Sequence, residues 1–398
     1  MSITSQASQR ITALLDDNSF VEIGAMVTAR ATDFNLKQTE TPSDGCITGY
    51  GVIEGNLVYV YSQDASVLGG SIGEMHAKKI AGLYDLAMKT GAPVIGLIDS
   101  AGLRLQEATD ALNAFGEIYK KQTLASGVIP QITAVFGTCG GGLALFPALT
   151  DFTFMEEKKA RLFVNAPNAL AGNEISKCDT SSAAFQSEEA GIVDFVGDEA
   201  AVLGQIRDLV CMLPSNNEDD NSFVECTDDL NRAEASLANC VGDTSIALST
   251  IADDNAFVEV KAAYAKEMVT GFMKLNGITV GAVANRCEVY NDEGEKTASF
   301  DAALSPAGCD KAAEFVSFCD AFNIPVLTLT NVNGFTADKC SEKKIAKAAA
   351  RLTYAFADAT VPKVNVIIGK AYGSAYVAMN SKAIGADMTY CWPDAEIG

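Results

Sequence analysis

Val128-Ile129-Pro130-Gln131-Ile132 returns as Thr360-Val361-Pro362-Lys363-Val364, 360 − 128 = 232 positions later, and that return decides the fold. Ala92-Pro93-Val94-Ile95-Gly96-Leu97 returns as Ile324-Pro325-Val326-Leu327-Thr328-Leu329, 324 − 92 = 232 positions on. Asp17-Asn18-Ser19-Phe20-Val21-Glu22-Ile23 returns as Asp254-Asn255-Ala256-Phe257-Val258-Glu259-Val260, 254 − 17 = 237 positions later. Gly141 then falls on Gly373, each inside a glycine-rich turn. Blocks repeated in one order at nearly constant spacing are the mark of a duplicated domain.

Each copy carries the same coarse plan. In the first, a helix is expected over residues 9–16, strands over 48–54 and 56–63, and a helix over 71–90 stopped by Gly91. An apolar strand over 94–98, a helix over 108–126 and a strand over 131–136 follow, and Gly140-Gly141-Gly142 opens another helix. The second copy places strands near 279–284, 326–329 and 364–368. Short β-branched runs alternating with long helices read as βαβ crossovers, an α/β fold. A chain of 398 residues exceeds the size at which one core stops growing. The polar run Pro214-Ser215-Asn216-Asn217-Glu218-Asp219-Asp220-Asn221-Ser222 is the natural boundary, giving domains over 1–222 and 223–398. A helical bridge is expected from there to about residue 247.

Composition narrows the chemistry. The formal charge of −22, from 51 acidic and 29 basic residues, repels phosphate backbones and anionic bilayers, so nucleic acid is an unexpected partner. A small anionic ligand is still admissible, held by local amides at a helix start. Met1-Ser2-Ile3-Thr4-Ser5-Gln6 has no basic stretch before an apolar core, and no apolar run reaches about 18 residues. A cytoplasmic protein is expected. The 11 cysteines include no C-x-x-C pair, so free thiols are expected rather than zinc or disulfides. His76 is the only histidine, so any mechanism needing a histidine base must use it or be dropped.

The glycine turns are the chemical candidates. Val135-Phe136-Gly137-Thr138-Cys139-Gly140-Gly141-Gly142-Leu143 runs a strand directly into a turn at a helix start, where the first amides lack intrahelical partners. Glycine lets a ligand approach that backbone with no Cβ in the way. Amides aimed at a developing oxyanion are worth roughly 2.7–4 kcal/mol each. Ile368-Gly369-Lys370-Ala371-Tyr372-Gly373-Ser374-Ala375 repeats the arrangement, so two oxyanion sites are expected. The bland reading, tight strand–helix packing, competes for either turn alone, and the duplication favours function. Neither turn fits a dinucleotide fingerprint or a phosphate loop. Gly69-Gly70-Ser71-Ile72-Gly73 matches the G-x-S-x-G nucleophile pattern, but His76 follows on the same helix where a triad histidine should come later in the chain. That turn is read as a tight backbone start lining the substrate site. Met88-Lys89-Thr90 departs from the Met-Lys-Met biotinylation hairpin, so Lys89 is read as a structural helix residue.

These residues resemble the biotin-dependent acyl-CoA carboxylase carboxyltransferase (β-subunit) family, which includes the glutaconyl- and methylmalonyl-CoA decarboxylase and transcarboxylase subunits. In the first copy the resemblance rests on Asp44-Gly45-Cys46-Ile47-Thr48-Gly49-Tyr50-Gly51, Gly69-Gly70-Ser71-Ile72-Gly73-Glu74-Met75-His76 and Asp99-Ser100-Ala101-Gly102-Leu103-Arg104-Leu105-Gln106-Glu107. In the second it rests on Val283-Ala284-Asn285, Asp310-Lys311-Ala312-Ala313, Lys370-Ala371-Tyr372-Gly373-Ser374-Ala375-Tyr376 and Gly385-Ala386-Asp387. It implies tandem duplicated crotonase-like (ββα superhelix) domains. It also implies that Leu103 with Gly140, Gly141 and Gly142 holds a thioester oxygen while an enolate forms. Phe335 with Gly373, Ser374 and Ala375 would hold the biotin ureido oxygen, with Gly334 and Tyr372 against biotin. CoA would lie over Gly70, Ser71, Ser100, Ala101, Gly102 and Arg104, although Arg104 reads equally as a structural ion pair. The implied assembly is a homodimer built into a hexamer, served by a biotin carboxyl carrier protein; a membrane-bound partner remains open, and no metal is required.

Two motifs depart from the family. Asp-x-Pro-Gly-Phe appears as Asn331-Val332-Asn333-Gly334-Phe335, and Arg-Lys-Ala-Tyr-Gly-Gly-Ala as Gly369-Lys370-Ala371-Tyr372-Gly373-Ser374-Ala375. Backbone donors survive both changes, and Gly369 resembles the decarboxylase branch. The chain ends at Glu396-Ile397-Gly398, inside a motif that usually continues into helices, so the second domain reads as truncated. Competing readings are a biotin-independent crotonase-type isomerase, hydratase or hydrolase, and a non-catalytic CoA-binding subunit.

Overall fold

The computed structural model describes residues 5–31, 40–219, 225–229, 231–291 and 293–398. They fall into two compact units, Met1–Glu218 and Asp219–Gly398. The boundary expected at 222/223 lies outside the described residues.

The first unit is built on a seven-stranded sheet, in the order Val21–Ile23, Cys46–Ile53, Asn56–Gln63, Val94–Ile98, Gln131–Val135, Phe152–Glu156 and Phe195–Gly197. The first three strands run antiparallel and the rest parallel. All five residues of Val94–Ile98 and of Gln131–Val135 are buried, the pattern of strands covered on both faces. Helices Glu74–Thr90 and Ala108–Ala125 pack side by side, closing a core that includes Ile80, Tyr84, Phe115, Ile118 and Phe146. Helix Glu74–Thr90 stops at Gly91, whose φ of +64° an L side chain disfavours.

The second unit repeats this plan with Phe257–Val260, Met268–Leu275, Ile278–Asn285, Val326–Val332, Lys363–Ala371 and Met388–Cys391, and Glu396–Ile397 pairs with the end of Lys363–Ala371. Register repeats with the sequence. Val94 pairs with Gln131 in one unit and Val326 with Lys363 in the other, and 326 − 94 equals 363 − 131, or 232. The Lys363 amide donates to Asp387 at 2.8 Å as the Gln131 amide donates to Asp151 at 2.8 Å.

Three expectations shift. The helix expected from residue 71 begins at Glu74, because Leu68–Gly70 is a separate turn with Gly69 at φ +65° and Gly73 is extended. The bridge expected to be helical up to about residue 247 holds only the short turn Ala235–Asn239 and the start of helix Thr244–Ile251 among its described residues. Gly141–Ala144 forms a 3-10 turn before helix Leu145–Leu149, so the glycine run opens a helix by way of a tighter turn. Among the described residues no helix is long and apolar enough to cross a membrane.

Among the described residues, one element of the second unit has no counterpart in the first. Tyr59 pairs with Val94 and Gly281 with Val326, so the offset is 281 − 59 = 222 before the connection to the next helix and 326 − 94 = 232 after it. The ten extra residues lie between Asn285 and Pro306, where the hairpin Glu288–Tyr290 and Lys296–Ser299 stands.

Candidate active site

In the first unit two loops face each other above the parallel strands. Ile72 N–H donates to Gly102 O at 2.8 Å and Arg104 N–H donates to Ile72 O at 3.0 Å, making Leu103 the residue bridged to Ile72. In a parallel bridge the flanking groups carry the bonds, so the Leu103 N–H points away from Ile72. A Cβ on Gly102, at φ +91°, would sit 3.7 Å from Gly140 O, so this loop faces the glycine turn. Gly141 takes φ +63°, and nothing lies within 4 Å of where its Cβ would be. Gly142 is exposed, and Tyr119 O–H donates to its carbonyl at 2.6 Å, fixing the far side of the turn. Sequence reasoning missed Tyr119, since helical periodicity does not reveal which hydroxyl meets a remote carbonyl.

The loop carrying Leu103 is held from below. Ser100 Oγ donates to Gly70 O at 2.6 Å and accepts from Gly102 N–H at 3.0 Å. A Cβ on Gly70 would come within 2.4 Å of Asp99 O, so glycine is needed there for close approach. Ala101 is exposed and its amide donates to Gly69 O at 2.8 Å.

Arg104, offered by the sequence as a CoA contact or an ion pair, is only 3% exposed. It donates to Asp44 at 2.7 Å, Glu107 at 2.9 Å, Ser71 O at 2.6 Å and Ser71 Oγ at 3.3 Å. The CoA contact is therefore corrected to the ion pair, because the guanidinium is enclosed by protein acceptors. Burial pushes the Asp44 carboxyl up from its ordinary value, against the pull of Arg104.

Ser71 is buried and its hydroxyl donates to Leu68 O at 2.7 Å, which removes it as a nucleophile. His76 is 0% exposed, with Nδ1 at 3.0 Å from Asp44 O and Nε2 at 3.2 Å from the Gln63 amide. Its Nδ1–H donates to the carbonyl and Nε2 accepts from Gln63. Burial holds its pKa down at about 3, so the ring is neutral and structural.

The second unit rebuilds this pair of loops. Phe335 pairs with Leu304, and Thr336 N–H donates to Leu304 O at 3.0 Å, so the Phe335 amide is turned outward as that of Leu103 is. Nothing lies within 4 Å of where a Cβ would stand on Gly334 or Gly373, and Gly373 takes φ +59°. Gly373 N–H itself donates to Gly398 O at 2.9 Å, because Glu396–Ile397 extends the sheet alongside the turn. The expectation that Gly373 lends its own amide is corrected on that ground. Ser374 and Ala375 follow in the first turn of helix Gly373–Ala378, where amides lack intrahelical acceptors. Ser374 is exposed and Ala375 is 1% exposed. Tyr372 is half-buried, and its hydroxyl donates to Glu396, which raises the phenol pKa.

A second pair of residues, missed as site elements by the sequence, sits behind both turns. A Cβ on Gly137 would fall 1.9 Å from Asp99 Oδ1, and one on Gly369 would fall 2.6 Å from Asn331 Oδ1. The spacings 369 − 137 and 331 − 99 are both 232, so each turn needs glycine where an acid or amide side chain lies against it. Asp99 is paired with Arg10 at 3.2 Å, whereas neutral Asn331 accepts from Lys370 N–H at 2.9 Å. The departure at Asn331 from the family motif was the signal available beforehand.

Residues 5–398 match the carboxyl transferase domain family. The chain is 40% identical over 409 residues to the methylmalonyl-CoA decarboxylase subunit alpha of Propionigenium modestum, covering 98% of this chain and 76% of that protein. It is 41% identical over 410 residues to the propionyl-CoA carboxylase beta chain of Roseobacter denitrificans, covering 98% and 77%. Among solved structures it is similar to the hexameric transcarboxylase 12S with hydrolysed methylmalonyl-coenzyme A bound, with a TM-score of 0.90, 36% identity, and coverage of 98% of this chain and 76% of that one. The crotonase-like duplicated architecture expected from the sequence agrees with these neighbours. With a matching family model across nearly its whole length and relatives at this identity, the chain belongs to the carboxyl transferase domain family.

Proposed function

We propose that this chain moves a carboxyl group between an acyl-CoA thioester and biotin borne by a separate carrier protein. The observation that carries this reading is the repeated loop pair: Leu103 with Gly142, and Phe335 with Ser374, each pair 232 positions from its counterpart. Two like-built amide pairs suit a reaction with two carbonyl-type oxygens to hold, one on each reactant. The Leu103 and Gly142 amides would hold the thioester oxygen as the bond from Cα to the carboxyl group breaks or forms, stabilising the enolate by hydrogen bonds fixed beforehand. Gly102 and Gly141 keep that approach free of side chains. In the second unit the Phe335 and Ser374 amides, with open space at Gly334 and Gly373, fit a planar urea oxygen, and Tyr372 flanks the turn. When bound, biotin supplies a ureido nitrogen that takes or returns the carboxyl group and exchanges a proton with the acyl α-carbon.

The buried, neutral His76 supports a mechanism in which the protein orients reactants and stabilises oxyanions without a histidine base. Ser71, Ser100 and Gly70 would shape the floor of the acyl-CoA site from below. The hexamer of the similar transcarboxylase 12S supports an oligomer here, with a homodimer as its building block and a biotin carrier protein as its partner.

Incubation with methylmalonyl-CoA or malonyl-CoA, with and without free biotin, tests the reading. Decarboxylation that requires biotin is expected. Turnover indifferent to biotin, or binding of the CoA ester with no turnover, would overturn it.

A further inference from the structure

We infer that Arg10 is a positioning residue for the first amide pair. Through Asp99 and Phe136 it fixes the Leu103 loop against the glycine turn, and it cancels the carboxylate charge that lies behind them. This role rests on the carboxyltransferase reading and adds to it a residue that acts through its neighbours.

Asp99 stands where both loops begin. It follows strand Val94–Ile98 and leads into Ser100–Leu103. Its carboxylate lies against Gly137, where a Cβ would come 1.9 Å from Oδ1, and Gly137 leads into Gly140–Gly142. The strand ends are joined, since Phe136 N–H donates to Ile98 O at 2.9 Å and Ser100 N–H to Thr138 O at 3.1 Å. A shift of the Asp99 side chain is therefore felt by both loops. Arg10, on helix Gln6–Leu14, is only 3% exposed. Its Nη1 donates to Asp99 Oδ2 at 3.2 Å, and its guanidinium carbon stands 4.6 Å from the centroid of the Phe136 ring. Its Nε and Nη2 donate to the two Glu199 oxygens at 3.2 and 3.3 Å. Glu199 opens helix Glu199–Met212, and Arg207 of that helix donates to Leu14 O at 2.7 Å. The planar fork is thus held by a helix on one side and grips the base of both loops on the other.

The second unit lacks the acid and the cation together. Leu15 N–H donates to Ile11 O and Ala252 N–H to Leu248 O, each at 3.1 Å, so the two helices match at an offset of 252 − 15 = 237. That offset puts Ala247 where Arg10 stands, while Asn331 takes the place of Asp99. The backbone support is the same in both copies: Asp99 N–H donates to Gln63 Oε1 at 3.3 Å, and Asn331 N–H to Asn285 Oδ1 at 3.0 Å. Asn331 keeps the contact with its glycine and accepts from Lys370 N–H at 2.9 Å, with no charge to balance. A lone carboxylate behind the first pair would oppose the negative charge of an enolate oxygen. Removing one member of a buried ion pair strands the other, whereas neutralising both is far milder.

Decarboxylation of methylmalonyl-CoA with free biotin is measured for the wild type, Arg10→Met, Arg10→Met/Asp99→Asn and Arg10→Lys, with thermal melts in parallel. Arg10→Met should lower kcat about tenfold or more, with KM for the CoA ester and for biotin within about twofold of wild type. The double variant, which copies the neutral pair of the second unit, should recover most of that kcat. Arg10→Lys keeps the charge but loses the two-pronged hold, so its kcat should fall between wild type and Arg10→Met; it reads the role even if Arg10→Met does not fold. Wild-type kcat in a folded Arg10→Met or Arg10→Lys, with only the melt lowered, would show that Arg10 merely ties the helix to the sheet and would overturn the role. A double variant no faster than Arg10→Met, or a loss confined to KM, would overturn it as well. A wild type that turns over without biotin, or not at all, would instead remove the carboxyltransferase reading.

Discussion

Leu103 and Phe335 occupy one structural position twice: each is the residue bridged in parallel to a buried aliphatic side chain, Ile72 or Leu304, that itself lies 304 − 72 = 232 positions from its counterpart. The bridge uses the neighbouring backbone groups and turns the amide of interest outward. What holds that bridge differs between the copies. Beside Leu103 stands Arg104, locked in a buried ion cluster; beside Phe335 stands Thr336, whose hydroxyl donates to Leu304 O at 3.2 Å.

Gly141→Val should remove turnover while leaving the protein folded. The site is open where a Cβ would stand, so no clash arises, and the left-handed φ costs an L residue roughly 1–2 kcal/mol. The valine side chain would enter that open space and shift the following amide, for a loss of about 10²-fold or more in kcat. Steady-state decarboxylation with a thermal melt in parallel checks it. Wild-type turnover would take the first loop pair out of the mechanism.

Gly137→Ala should do the reverse, harming the fold first. Its Cβ would fall 1.9 Å from Asp99 Oδ1, and Asp99 is tied to Arg10. Overpacking of this kind typically costs about 1–3 kcal/mol. A chemical-denaturation midpoint unchanged from wild type would show that Asp99 moves aside freely.

Arg104→Gln should be the most destabilising of these changes, by about 3–5 kcal/mol, because Asp44 and Glu107 stay buried without their cation. The neutral combination Asp44→Asn, Arg104→Gln and Glu107→Gln should recover much of that loss. If Arg104 positions the Leu103 amide, the combined variant keeps a lowered kcat with little change in the KM for acyl-CoA. A raised KM with normal kcat would return Arg104 to the role of CoA contact.

His76 sets a pH dependence of stability rather than of catalysis. Its pKa falls from 6.5 to about 3 on folding, so between those values the unfolded chain binds a proton that the folded chain refuses. Stability therefore rises with pH across that window, by up to about 1.4 kcal/mol per pH unit, is fully present above 6.5 and is lost as pH falls towards 3. Urea midpoints at pH 4, 5 and 7 measure the slope, and His76→Gln should flatten it. The same slope in that variant would assign the effect to carboxylates.

Much of the fold was legible because apolar β-branched runs announce buried parallel strands. The strands over 56–63 and 94–98 fall as expected, and so does the Gly91 stop. Helix starts were less legible. Residues 71–73 satisfy helical periodicity, but the turn at Gly69 and Gly70 must meet Asp99 and Ser100, contacts distant in sequence. The bridge up to residue 247 failed for a related reason: its polar, acidic composition gives no stripe for a helix to bury.

The sequence by itself determined that the molecule is a doubled α/β fold with one glycine turn per copy at equivalent places, because the repeat offset and the lack of side chains are properties of residue order. Only the tertiary structure decided which groups those turns leave available. Gly373 spends its amide on Gly398 O, Arg104 is enclosed by Asp44 and Glu107, and the additional hairpin rises beside the second turn alone. Hydrogen-bond partners and burial are set by segments that meet only on folding, so residue order could name the donors without saying which were already taken.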